Sequence, residues 1–151
     1  MYKLVAVDLD GTMLNSYGIV TENTKNVIKK VIEQGTEVII ASGRPIDSIK
    51  TIAKEIGSNN YFIAGNGALI YDIKNEKTIY EKYITKQKVL EIIKICEENS
   101  IYYNVYTNDV IVTKSLNYNL LYYQNENLKN PEEKRIKMYI TEDIYNYVEN
   151  Y

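Results

Sequence analysis

Two aspartates separated by a single residue are the side chains best suited to chemistry in this sequence. They are Asp8 and Asp10, within "VAVDLDGTML" at residues 5–14. Side chains two residues apart on an extended strand point the same way, so both carboxylates are expected in one crevice. Gly11 lets the backbone turn with a positive φ, and Thr12 offers a hydroxyl and an amide. The bland alternative is a strand that ends in an ordinary Asp-Gly turn.

A close pair of carboxylates suits two kinds of chemistry. Oxygen ligands are what a hard divalent cation such as Mg²⁺ prefers, and this ion commonly keeps phosphate in its shell. A carboxylate can also attack phosphorus, while a second one acts as acid and base. The pair therefore predicts a site for Mg²⁺, for phosphate chemistry, or for both.

The composition excludes several other classes of site. The 151 residues include no histidine, which removes Ser-His and Cys-His catalysis and histidine-ligated zinc. The single cysteine, Cys96, cannot form an intrachain disulfide, which suits a reducing cytoplasm, and its apolar helical surroundings predict a packing role.

The net charge of −2 gives no basic surface for nucleic acid or an anionic membrane. The 16 tyrosines could stack on bases, but no basic groove accompanies them. No apolar run approaches the roughly 20 residues of a membrane helix. We therefore expect a cytoplasmic protein with neither nucleic acid nor membrane as a partner.

The first half of the chain alternates strands with helices. Short apolar runs predict strands at residues 3–8, 36–41 and 61–64, the first of them buried on both faces. Helices are predicted at residues 21–34, with a Thr21 cap, and from Pro45 to about residue 56. This alternation predicts an α/β fold with a doubly wound, Rossmann-like parallel sheet.

Each predicted strand of this sheet runs directly into a polar or glycine-rich turn. The three turns are "DLDGT", "SGRP" and "GNGA". The carboxyl ends of parallel strands share one edge of the sheet, where ligands bind in such folds. The topology therefore predicts that the three turns lie together.

The second half of the chain predicts an α+β subdomain with antiparallel strand pairing. A hairpin of residues 68–72 and 77–83 closes the first part, so the domains are predicted as 1–80 and 81–151. The later elements are a helix at 86–98, a hairpin of 101–106 and 109–113 across Thr107-Asn108, a helix at 115–123, a polar loop at 125–134, a strand at 135–140 and a helix from 141 under a Thr141 cap.

Three ordered motifs resemble one known family. "DLDGT" resembles the first motif of the haloacid dehalogenase superfamily of phosphatases, and "ASGRP", residues 41–45, resembles the second motif of its Cof-like sugar-phosphatase branch. "GNGA", residues 65–68, is typical of the same branch. The resemblance is strong up to about residue 72 and weak beyond it. It implies a magnesium-dependent phosphatase that acts on sugar phosphates or similar small phosphorylated metabolites through an aspartyl-phosphate.

The resemblance assigns the catalytic roles to the two aspartates. Asp8 would be the nucleophile that takes the phosphoryl group, and it would also ligate Mg²⁺. Asp10 would protonate the leaving oxygen and then activate water, while its main-chain carbonyl binds the metal. Phosphoryl transfer needs positioning and charge stabilisation at the equatorial oxygens, which a metal and hydrogen-bond donors supply.

The remaining candidates would bind phosphate or substrate. Ser42 would donate to a phosphoryl oxygen, helped by the amides of Leu9 and Gly43, and Thr12 is a further candidate through its hydroxyl and amide.

Three of these assignments have plain structural alternatives. Arg44 and Asn66 would line the substrate side, although Arg44 is also compatible with an ordinary surface position and Asn66 with a turn residue. Ser42 is equally compatible with a helix cap before Pro45.

The sequence departs from the family pattern in its later part. We find neither the family's third-motif lysine nor its acidic fourth motif, and "TNDV" at 107–110 lacks the preceding Gly-Asp. The resemblance thus implies that core and cap are both incomplete, with little phosphatase activity in this chain alone. Strand 3–8 would then be an open edge that favours self-association or pairing with a separate fragment. Two alternatives stay open, a non-catalytic phosphoacceptor or interaction module, and a structural α/β domain with a coincidental motif.

Overall fold

The computed structural model describes residues 2–107, 110–132 and 135–151. Three parts of the prediction lie outside the described residues: Asn108 of the predicted turn, Asp109 at the start of the predicted strand 109–113, and residues 133–134 of the predicted loop. The chain divides into two compact units, Met1–Tyr83 and Ile84–Tyr151. Within the described residues, no helix has the length and apolar character needed to cross a membrane.

The first unit is built on a five-stranded sheet with the order β1-β2-β3-β4-β5. Its first three strands are parallel, and β4 and β5 continue the sheet as an antiparallel hairpin. The predicted α/β class with a parallel core is confirmed. The elements are β1 (Leu4–Val7), α1 (Glu22–Glu33), β2 (Glu37–Ala41), α2 (Ile46–Ile56), β3 (Tyr61–Ala64), β4 (Leu69–Asp72) and β5 (Lys77–Glu81).

Helices α1 and α2 lie where their sequences predict, except that Pro45 precedes α2 and is not its first residue. The Thr21 hydroxyl caps α1 by accepting from the Thr24 amide, and Gly57, with φ +75°, ends α2 in the left-handed conformation. The two helices lie against each other, where Lys25 pairs with Glu55. Their apolar stripes and one face of β2, β3 and β4 form a single core. Its buried members from these elements are Ile28, Val38, Ile40, Ile49, Ala53, Ile56, Phe62, Ala64 and Tyr71.

Strand β1 is less buried than predicted. Leu4 is 50% exposed and Val5 37%, whereas burial on both faces was expected. The physical reason is position, because β1 is the terminal strand of the sheet and, among the described residues, pairs only with β2. The Glu37 amide donates to the Lys3 carbonyl, so by alternation the backbone groups of Leu4 and Ala6 point away from β2 and form a free edge.

The second unit packs helices on a small sheet with the order β6-β7-β8. Its β6–β7 hairpin is antiparallel as predicted, but β8 joins β7 in parallel, so the expectation of antiparallel pairing throughout was wrong. The cause is the helix between β7 and β8, which returns the chain to the same end of the sheet. The elements are α3 (Lys86–Glu98), β6 (Asn104–Tyr106), β7 (Ile111–Thr113), α4 (Asn119–Lys129), β8 (Met138–Ile140) and α5 (Ile144–Asn150).

Helix α4 lies later in the sequence than predicted. It begins at Asn119, not at residue 115, and it includes residues 125–129, which were assigned to a polar loop. Local polar contacts stabilise this last turn. Lys129 pairs with Glu126 at 2.8 Å, and the Asn127 side chain bonds both the amide and the carbonyl of Ile136. The polar composition of residues 125–129 therefore led to a loop prediction for a segment that is helical.

Helix α5 begins two residues later than its predicted cap allows. Asp143 caps it, since its Oδ1 accepts from the Asn146 amide at 2.9 Å. Thr141 instead accepts from the Asp143 amide at 3.3 Å. Both residue types are good caps, and the tertiary context selects between them.

Candidate active site

The first turn holds its two aspartates outward around a buried leucine. Leu9 is fully buried, whereas Asp8 and Asp10 on either side of it are exposed. Residues 9–13 form one wide turn, in which Met13 and Leu14 donate to the carbonyls of Asp8 and Leu9, five residues back. Gly11 makes this turn possible with φ +74°. Both carboxylates are exposed, but β1 ends at Val7 and Asp10 lies within the turn, so the strand alternation assumed in the prediction does not apply to this pair.

Arg44 binds Asp10 through a two-pronged contact. Nε donates to Oδ2 at 2.8 Å and Nη2 donates to Oδ1 at 2.6 Å. The hydrogen bond and charge of Arg44 hold the pKa of Asp10 below its ordinary value, against the opposing effect of partial burial. Arg44 is only 7% exposed, so the alternative of an ordinary surface arginine is wrong.

The second and third turns are fastened to each other by backbone hydrogen bonds. The Ser42 amide donates to the carbonyl of Ile63 at 3.0 Å, and the Asn66 amide donates to the carbonyl of Ser42 at 3.2 Å. The Gly65 amide donates to the carbonyl of Arg44 at 3.2 Å. Together with the Arg44–Asp10 contact, these bonds bring all three turns to one edge of the sheet.

Ser42 lies inside this cluster and does not cap a helix. Its side chain is buried, and its Oγ accepts from the Arg44 amide at 3.3 Å. Pro45 occupies the position before α2, which has no side-chain cap. The hydroxyl of Ser42 still has its own proton to donate.

Asn66 lies directly against Gly43. It adopts the left-handed conformation, with φ 55° and ψ 36°, which asparagine tolerates better than most residues. A Cβ added at Gly43 would lie 2.7 Å from Asn66 Oδ1. The absence of a side chain at Gly43 is therefore what lets Asn66 sit where it does.

We predict that the effects of Gly43→Ala and Asn66→Gly on the free energy of unfolding are not additive. The new methyl group at position 43 displaces the Asn66 amide, so Gly43→Ala is expected to cost about 1 kcal/mol, the low end for overpacking, because the amide is an exposed side-chain end. Asn66→Gly keeps the positive φ accessible and removes the obstacle, so most of this cost should vanish in the double variant. Urea unfolding of the four proteins measures the coupling. Strictly additive effects would contradict the contact.

The candidate metal ligands are few. Among the described residues, no group of three or more histidine, cysteine, aspartate or glutamate side chains is arranged to hold a metal ion. Asp8 and Asp10 offer oxygen ligands only, which is the donor type that Mg²⁺ prefers. This ion usually keeps several waters and binds through one or two carboxylates together with substrate phosphate, so the donor set fits it.

Ser48 is the residue of this site that sequence reasoning missed. It lies in the first turns of α2, and its Oγ accepts from Arg44 Nη1 at 3.3 Å. Arg44 precedes α2, which begins at Ile46, so helix-face spacing gave no signal for this contact.

Comparison with known proteins places these motifs in a family. Residues 5–151 match the family of haloacid dehalogenase-like hydrolases. The chain is similar to the phosphatase YwpJ of Bacillus subtilis, with 32% identity over 111 residues that cover 74% of this chain and 39% of that protein.

Solved structures show the same architecture. A haloacid dehalogenase-like hydrolase from B. subtilis matches with a TM-score of 0.76 and 25% identity, over 96% of this chain and 56% of that one. A sugar phosphatase of haloacid dehalogenase subclass IIB matches with a TM-score of 0.74 and 19% identity, over 99% and 55% of the two chains. The chain thus spans about half the length of these structures. Since the family match extends from residue 5 to residue 151, the chain belongs to the haloacid dehalogenase-like hydrolases.

Proposed function

We propose that this chain carries the nucleophile-bearing part of a magnesium-dependent phosphatase that hydrolyses phosphate monoesters of small molecules through an aspartyl-phosphate. The observation that carries the proposal is the convergence of three turns. Asp8 and Asp10 are exposed just after β1, and the Arg44 fork joins Asp10 to the turn that contains the buried Ser42.

In the first proposed step, an Asp8 carboxylate oxygen attacks phosphorus. The bond between phosphorus and the ester oxygen breaks, and the leaving oxygen takes a proton from the carboxyl group of Asp10. In the second step, water attacks the aspartyl-phosphate and gives a proton back to Asp10. The bond between phosphorus and Asp8 breaks, which releases phosphate and restores both carboxyl groups.

The contact with Arg44 favours one of the two roles of Asp10. With both of its oxygens accepting from the guanidinium, Asp10 is stabilised as the ionised carboxylate, and its pKa is lowered. This is the form that accepts a proton from water. Donation to the leaving oxygen requires that a bound substrate loosen at least one of these two hydrogen bonds.

The turn after β2 is the proposed cradle for the phosphoryl oxygens. Ser42 would donate its hydroxyl proton, and the amides of Leu9 and Gly43 would donate alongside it, with Thr12 at the rim. Bound Mg²⁺, held by Asp8 and the Asp10 carbonyl, would offset negative charge on the transferring group. Fixed donors and positive charge at these oxygens lower the barrier to phosphoryl transfer.

The proposed substrates are small phosphorylated metabolites, sugar phosphates among them. Support comes from the structural match to a sugar phosphatase and from the polar groups of Asn66 beside Gly43. We further propose a cytoplasmic location, which a single cysteine suits, and neither nucleic acid nor membrane as a partner, on the basis of a net charge of −2.

One observation favours a second candidate function. The two carboxylates are not joined by a third acidic group among the described residues, so metal affinity and turnover are expected to be low. A module that accepts a phosphoryl group on Asp8 and releases it slowly would need no more than this. Accumulation of a phosphorylated chain, without steady release of phosphate, distinguishes this candidate.

We also propose that the free edge of β1 mediates self-association. The backbone groups of Leu4 and Ala6 point outward on this edge, and unpaired strand edges are templates for another strand. Sedimentation velocity over a wide concentration range measures this self-association. A chain that is monomeric at the highest concentration would contradict the proposal.

The experiment that tests the phosphatase proposal is hydrolysis of p-nitrophenyl phosphate by the purified chain. We expect slow turnover that requires Mg²⁺ and disappears with a chelator. Turnover that is indifferent to the chelator would exclude the metal-dependent route, and no turnover at all would exclude the phosphatase function of this chain.

A further inference from the structure

The Arg44–Asp10 contact joins one fixed group to one free group. The Arg44 side chain is 8% exposed, whereas the Asp10 side chain is 61% exposed. A buried guanidinium has little freedom to follow its partner, but an exposed aspartate otherwise samples several rotamers. The contact therefore restrains the carboxylate of Asp10 far more than it restrains Arg44.

Arg44 is itself anchored at both ends. Its main-chain carbonyl accepts from the Gly65 amide at 3.2 Å, which ties its backbone to the turn after β3. At the other end, Nη1 donates to the Ser48 hydroxyl of α2 at 3.3 Å. Both anchors lie on elements that pack into the core of the first unit. The guanidinium is thus held in a fixed direction before any ligand arrives.

We propose that Arg44 is a positioning residue for Asp10. Its anchored fork sets the plane and direction of the Asp10 carboxylate, and it serves the reaction through Asp10 instead of as a substrate ligand. This inference rests on the proposed phosphatase function, and it replaces the substrate-lining role expected from the resemblance.

The planar fork is the property that matters. Two parallel N–H···O bonds fix both the position and the plane of a carboxylate, whereas a lysine ammonium at the same place supplies a point charge only. Proton transfer from water to the ionised Asp10 depends on that plane, since reacting groups must be aligned as well as close. Arg44→Lys therefore keeps the positive charge and removes the alignment.

The first arm of the test compares Arg44→Lys with Arg135→Lys, the same change at the other arginine of the chain, on the second unit. With p-nitrophenyl phosphate and Mg²⁺, Arg44→Lys is expected to lower kcat roughly 10- to 100-fold, with KM within about twofold of the wild type. Arg135→Lys should leave both constants unchanged. A rise in KM with kcat unchanged would overturn the proposal, because it would make Arg44 a substrate ligand.

The second arm repeats the change in an Asp10→Asn background. If Arg44 acts through Asp10, Arg44→Lys causes little further loss once the carboxylate has gone. The same fold loss in both backgrounds would overturn the proposal. Ser48→Ala gives a milder perturbation in case Arg44→Lys does not fold. Ser48→Ala keeps the buried charge of Arg44 paired with Asp10. It is expected to lower kcat by a smaller factor, again without a change in KM. An unaltered kcat would count against the hydrogen bond from Arg44 to Ser48 as an anchor.

Failure of this inference is distinguishable from failure of the proposed function. Thermal unfolding of the ligand-free wild type, both single variants and the Arg44→Lys/Asp10→Asn double variant measures the coupling of the pair without any turnover. If the four proteins show this coupling in stability but the wild type hydrolyses no substrate, the phosphatase function is overturned, and with it the role of Arg44. A wild type that hydrolyses substrate while Arg44→Lys leaves kcat unaltered would overturn the positioning role alone.

Discussion

Asp8→Asn is expected to abolish the Mg²⁺-dependent hydrolysis of p-nitrophenyl phosphate, with a loss of at least about 1,000-fold, or roughly 4 kcal/mol of transition-state stabilisation. The amide is isosteric with the carboxylate but is a poor nucleophile toward phosphorus and a weaker ligand for a hard cation. Asp8 is exposed at the end of β1, so the change should leave the fold intact. Phosphate release measured over long incubations provides the sensitivity that a slow enzyme requires.

Asp47→Asn is the matched control for this experiment. Like Asp8, Asp47 is an exposed aspartate, with a side chain that is 61% exposed. It lies in the first turn of α2. It lies outside the proposed machinery, so its hydrolysis rate should equal that of the wild type. Asp8→Asn with wild-type turnover would show that another group forms the bond to phosphorus, and the assignment of the nucleophile would then be wrong.

Phe62→Ala is expected to destabilise the first unit by about 3–5 kcal/mol, which is the range for truncating a fully buried aromatic side chain. Phe62 is 0% exposed, and its ring stacks on that of Tyr71 with centroids 5.1 Å apart. It lies at the centre of the core beneath α2, so few neighbours are free to fill the cavity. A loss this large approaches the whole stability of many small domains.

Urea unfolding followed by circular dichroism measures this loss, and Tyr61→Ala is its control. Tyr61 neighbours Phe62 on β3 but faces the other side of the sheet and is 41% exposed. Its truncation is expected to cost about 1 kcal/mol or less. Because the chain has two compact units, a transition confined to the first unit would be the expected form of the change. Equal losses in the two variants would contradict the described core.

Local sequence signals predicted the elements that carry the site. The apolar runs of β2 and β3, the Thr21 cap and Gly57 each depend on neighbours within a few residues, and the structure has them where they were expected. The convergence of the three turns followed from topology alone, because parallel strands connected by helices share their carboxyl edge.

Contacts between distant residues were beyond the same reasoning. Arg44 and Asp10 are 34 residues apart in sequence, so no spacing rule indicated that one would hold the other. The contact of Gly43 with Asn66 depends likewise on how two turns are fastened together. Burial of β1 on both faces was wrongly expected for a related reason, since an apolar run predicts a strand but does not indicate how many neighbours that strand has, and only the family resemblance implied the open edge.

The free edge of β1 has a limit built into its sequence. The apolar segment Leu4–Val7 lies between the charges of Lys3 and Asp8, and its four residues are fewer than the six or seven that a steric zipper uses. Charges at both ends of such a segment act as gatekeepers, because each added layer of a fibril would stack like charges. The edge is thereby suited to one discrete neighbouring strand and poorly suited to open-ended amyloid growth.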